Sequence, residues 1–147
     1  MFFIKKQDTE KIPAEIEKFV EDLKKSESKL DCLKRTYNFL VKTYRGSLRN
    51  NIVSFFDLFL NKNKVWQKKW LSCIPLNYLM QKILIESGFF GPEEIKLKWT
   101  LFCYFSPHQY LEIKAEEEKT VNIDLWAASR GIKFGDYAHG FHLKTKE

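Results

Sequence analysis

Apolar residues recur with a helical period through the first half of the chain and with a period of two after residue 95. Beyond Pro13, residues Ile16, Phe19, Val20 and Leu23 fall at i, i+3, i+4 and i+7 between Glu and Lys, which predicts an amphipathic helix. Ser28 with Asp31 resembles a capping box, and Leu30, Leu33, Tyr37, Leu40, Val41 and Tyr44 carry a second stripe as far as Arg45-Gly46. These two helices can pair as a hairpin. A further apolar run, Ile52, Phe55, Phe56, Phe59 and Leu60, follows Asn50-Asn51 and gives way to the polar, basic stretch NKNKVWQKKW. From about Pro75 to Ser87 another helical face is formed by Leu76, Leu79, Met80, Ile83 and Leu84. Pro75 suits its first turn and Gly88 the position just past its end.

After Gly91-Pro92 the pattern changes. Ile95, Leu97, Trp99, Leu101, Cys103 and Phe105 alternate with Lys96, Lys98, Thr100, Phe102 and Tyr104, predicting a long strand with Cys103 in the core, broken by Ser106-Pro107. Two more strands are expected, from about 108 to 114 and from 120 to 126, joined by the acidic turn AEEEK. The remainder, AASRGIKFGDYAHGFHLKTKE, reads as a Gly-punctuated loop or a terminal docking segment. Helices followed by an antiparallel sheet of at least three strands, without a βαβ alternation, indicate the α+β class, with helices covering one face of the sheet. At 147 residues the expectation is one domain spanning 1–147.

Composition narrows the function. With 44% hydrophobic and 16% aromatic residues, intrinsic disorder is excluded as a description of the whole chain. The net charge of +6 makes nucleic acid a partner to consider, but the excess lies in residues 1–70, with 16 basic against 9 acidic groups, while residues 71–147 hold 9 and 10. Within the basic part, Lys62, Lys64, Trp66, Lys68, Lys69 and Trp70 interleave cations with aromatics. That pattern suits either a stacking and phosphate-binding surface or a solvated face with its aromatics turned inward. Cys32, Cys73 and Cys103 lie far apart with no CxxC pair, so neither a zinc knuckle nor a disulfide framework is indicated and the thiols are expected to be reduced. Cys32, beside a helix stripe, reads as structural. His139 and His142 with Asp136 nearby raise a metal site, for which no aligning helix is evident; terminal docking or a loop over a cleft is the other reading. No cofactor and no metal are expected. No run approaches the ~20 apolar residues that cross a bilayer, and the start is too short for a secretory segment, so a cytoplasmic protein without a membrane partner is expected.

One constellation carries chemistry. Cys73 sits at a predicted helix N-terminus, where unpaired N–H groups and the positive end of the helix dipole favour a thiolate and can bind a developing oxyanion. A nucleophilic thiol needs a base, and His108 at the head of a strand can serve, with a carboxylate to hold its ring. If the hairpin closes symmetrically about Glu116, His108 lies directly opposite Asp124, at the ~4.5–5.5 Å Cβ separation of cross-strand partners.

These residues resemble a known family. A Cys opening a helix that ends in Gly (CIPLNYLMQKILIESG), a His at the start of a strand (SPHQYLEI) and an Asp at the end of the next (TVNIDLW) look like the core of the transglutaminase-like superfamily. KLDCLKRTYNFLVKTYRG is similar to the helix preceding the cysteine segment in microbial members. The resemblance covers residues 12–126. It implies a papain-like fold and a thioester mechanism on amide bonds of a peptide or protein, as in a protease, amidase or transglutaminase. In that mechanism Cys73 is the nucleophile, His108 the base and acid, and Asp124 the residue that orients His108. Gln67, six residues before Cys73, is similar in placement to a papain-type oxyanion glutamine. The alternatives are a catalytically degenerate binding or scaffold domain of the same fold, and a basic nucleic-acid-binding module.

Overall fold

A computed structural model describes residues 11–47 and 62–147, with side chains described from Lys64 onward in the second stretch. The apolar run 52–60 and Lys62 of the basic stretch therefore lie outside the described residues or side chains. Mixed helix and antiparallel sheet make the fold α+β. Helix α1 (Ala14–Leu23) follows Pro13, and α2 (Lys29–Thr43) starts at Ser28, whose side chain accepts from Asp31 N. The two pair as expected, with Phe19 stacked on Phe39 at 4.1 Å.

Between them and the next long helix the basic stretch holds more order than its composition suggests. A single helical turn, α3 (Lys62–Val65), buries Val65 and Trp66. Trp70-Leu71 then forms a short strand, β2, parallel to β1 (Arg45–Gly46), with Arg45 N bonded to Lys69 O at 2.7 Å and Ser47 N to Leu71 O at 2.9 Å. This ribbon ties the residues just before Cys73 to the end of α2. Gly46 is a packing requirement here, because a Cβ would lie 2.2 Å from Trp126 O. Gly46→Ala is expected to cost about 1–3 kcal/mol, seen as a lower urea midpoint at unchanged m-value.

Helix α4 (Cys73–Glu86) begins at Cys73, with Pro75 its third residue, and ends at Ser87 before Gly88 at φ +81°. Leu76, Leu79, Met80, Ile83 and Leu84 are all buried, packed between α2 and the sheet. A 3-10 turn (Pro92–Glu94) leads into β3 (Ile95–Phe102), β4 (Ser106–Glu116) and β5 (Lys119–Ile123), an antiparallel sheet in that order, followed by the short helix α5 (Leu125–Ala128). Leu111, Ile113, Val121 and Ile123 form its buried face.

Three sheet expectations need correction. The first strand stops at Phe102, and Cys103 and Tyr104 form the turn at φ +53° and +64°, so Cys103 is half-buried in a turn and not part of the core. On the same strand Leu97, Trp99 and Leu101 are exposed, since β3 is the edge strand and runs past the helical cover. The last strand ends at Ile123: the register pairs Leu111 with Ile123, and an irregularity between Lys114 and Glu116 moves the turn to Glu117-Glu118. Asp124 is thus two residues out of the expected pairing. No helix among the described residues is long and apolar enough to cross a membrane.

Candidate active site

His108 and Asp124 meet despite the changed register. Continuing the ladder beyond Leu111 and Ile123 would set Asp124 against Tyr110, so His108 reaches it along the diagonal on the same face. Its Nε2 is 2.7 Å from Asp124 Oδ2, with the two residues 3% and 2% exposed. Asp124 also caps α5. Its Oδ1 accepts from Ala127 N at 3.0 Å, and Oδ2 accepts a second bond from Ala138 N at 2.9 Å. With three donors its carboxylate is fixed in place, which fixes the ring it holds.

With Nε2 committed to Asp124, Nδ1 is the ring atom left for the thiol. Cys73, half-buried at the first position of α4, is near enough to the His108 ring to raise its basicity. The helix presents Cys73 and Ile74 N–H with no backbone partner among the described residues, and Pro75 contributes none. One turn further, Asn77 Nδ2 donates to Gln109 O at 3.1 Å and to Gln109 Oε1 at 3.2 Å, pinning α4 to the strand that carries His108. Aromatics close the other side. Trp126 lies 4.9 Å from the His108 ring and meets Phe102 edge-on at 5.1 Å; Arg130 sits over the Trp126 ring at 3.9 Å.

Burial alone would lower the basicity of His108. The Asp124 bond and the nearby Cys73 outweigh it, and its pKa is pushed up to about 9 from 6.5. Protonated His108 therefore stabilises the fold fully below pH 6.5, and that contribution is lost as pH rises through about 9. The expected result is a urea midpoint that falls between these values in the native chain and falls less in His108→Gln.

The other singled-out residues lie elsewhere. Gln67 is exposed in the turn after α3, and no hydrogen bond of its side chain occurs among the described residues. In the basic stretch Trp66 is buried, while Trp70 is exposed beneath Arg45. Cys32 is buried, 3.5 Å from Ser87 Oγ, with its thiol pushed up by burial. His142 Nε2 bonds Asp136 Oδ2 at 2.7 Å, Thr145 Oγ1 donates to the same oxygen at 2.7 Å, and the His139 ring lies tilted between those of Tyr137 and His142. Together these close the tail 131–145 into a docked segment, and no group of three ligand side chains suited to a metal occurs among the described residues. Sequence reading missed Asn77 and Trp126, although a lone Asn on an otherwise apolar helix face is a readable signal. It also missed the Ala138 N–H, for which a backbone group leaves no signal.

Neither protein-family models, nor curated proteins, nor solved structures yield a match to this chain.

Proposed function

We propose that this protein is a cysteine-dependent acyl-transfer enzyme acting on amide bonds, a protease, amidase or transglutaminase of papain/transglutaminase-like architecture. The observation that carries the reading is the buried His108 to Asp124 bond of 2.7 Å, with Cys73 at the first position of α4 near enough to raise the basicity of the same imidazole. In this reading the Cys73 thiolate attacks the amide carbon, and the oxyanion is received by N–H groups at the start of α4. Protonated His108 delivers its proton to the leaving nitrogen as the C–N bond breaks, leaving a thioester. His108 then takes a proton from water or an amine, whose attack releases Cys73.

Iodoacetamide tests it. Near neutral pH, Cys73 is expected to alkylate about tenfold or more faster than a thiol of pKa ~8.5, Cys32 to stay unlabelled in the folded chain, and His108→Ala to remove the advantage. Labelling of Cys73 only at alkaline pH, indifferent to His108→Ala, would overturn the reading in favour of a degenerate binding domain.

A further inference from the structure

The apolar face of the sheet does not stop where its helical cover does. Leu97, Trp99 and Leu101 continue it onto β3 at 39%, 59% and 48% exposure. By register this row shares its face with Gln109, the residue pinned by Asn77, while His108 lies across the strand on the face of Thr100, Lys98 and Lys96. An exposed apolar row of this kind on an edge strand marks a place where another chain binds.

The backbone of the same strand is open. Gly140 N donates to Leu101 O at 2.7 Å and Gly140 O accepts from Cys103 N at 2.8 Å, so the odd-numbered residues of β3 direct their polar groups away from β4. The tail occupies that edge only at its far end. The N–H and C=O groups of Leu97 and Trp99 have no partner among the described residues. On the opposite face of the sheet the edge carries Lys96 and Lys98, with Glu112 as the acid beside them, 3.8 Å from Lys98.

We propose that this edge takes up an extended stretch of the acyl donor, outside the reacting amide, in which large apolar residues alternate with acidic ones. The inference rests on the acyl-transfer reading for the identity of that peptide as substrate. A strand added to β3 places successive side chains on opposite faces, so apolar ones land on Leu97, Trp99 and Leu101 and the others beside Lys96 and Lys98. A second copy of β3 is the poorer occupant, because antiparallel self-pairing would set lysine against lysine.

The test uses full-length Cys73→Ala and short fluorescein-labelled, amidated peptides of three kinds: Leu alternating with Glu around one Gln, Leu with Lys around one Gln, and Ser with Glu around one Gln. In fluorescence anisotropy the Leu/Glu peptide is expected to bind about tenfold or more tighter than either other, and Trp99→Ser to weaken it by about tenfold. Equal binding of the three, no effect of Trp99→Ser, or a Cys73→Ala dimer in sedimentation that Trp99→Ser dissociates would overturn the proposal. Rapid Cys73 labelling in the native chain without Leu/Glu binding removes the docking surface alone. Tight Leu/Glu binding beside an unactivated Cys73 removes the catalytic reading, and the peptide is then a ligand and not a substrate.

Discussion

Asp124→Ala is expected to destabilise the fold by about 3–5 kcal/mol and, in the acyl-transfer reading, to remove the enhanced alkylation of Cys73 that reading requires. The carboxylate is 2% exposed and receives three donors, His108 Nε2 and the backbone N–H groups of Ala127 and Ala138. Deleting it strands two buried amides and withdraws the partner that keeps His108 charged. Asp124→Asn separates shape from charge. One oxygen of the Asn amide can take the place of Oδ1 or Oδ2, but not both, so whichever way it turns, one of the two backbone N–H groups faces an NH2. Stability is therefore expected to fall by about 1–3 kcal/mol even in this isosteric change. Urea titration of both variants reads the effect, and an Asp124→Asn midpoint equal to the native one would refute this account of the carboxylate.

The second large effect is expected at Trp126. Its ring is 4% exposed and touches Phe102, His108 and the Arg130 guanidinium, while its Nε1 donates to Ser47 O at 3.3 Å. Trp126→Ala opens a large cavity against the imidazole and is expected to cost about 3–5 kcal/mol. Water admitted there would weaken the His108 to Asp124 bond, so the alkylation rate of Cys73 is expected to fall in the variant under conditions where it stays folded. Trp126→Phe keeps part of the contact but loses the indole N–H and some of the ring, with an expected cost of about 1–3 kcal/mol. A Trp126→Ala midpoint within experimental error of Trp126→Phe would show that the ring does not pack as described.

The helices and the meeting of His108 with Asp124 were legible in the sequence for different reasons. The stripes on α1, α2 and α4 were long enough for periodicity to decide. The His108 and Asp124 pairing survived an error in register because a two-residue slip keeps every side chain on its face; a one-residue slip would have separated them. What was not legible depended on contacts remote in sequence. Nothing local marks Leu97, Trp99 and Leu101 as exposed, since an apolar row on an edge strand reads like one in a core. The positive φ at Cys103 and Tyr104 goes against the preferences of both residues, and the turn is held by Gly140 from the tail. Asp124 followed by Leu-Trp-Ala-Ala does carry a cap signal, which the strand assignment overrode.

The bond from Ala138 N to Asp124 Oδ2 sets an order of events during synthesis. Ribosomes deliver a chain from its N-terminus, at roughly 5–20 residues per second, so Cys73 and His108 emerge well before residue 138. Until then the carboxylate that holds the imidazole lacks its third donor and the tail has not closed over the sheet. A nascent chain therefore carries Cys73 before the His108 to Asp124 pair has all of its bonds. In the acyl-transfer reading, reactivity arrives only with the tail, after the rest of the described fold has left the ribosome.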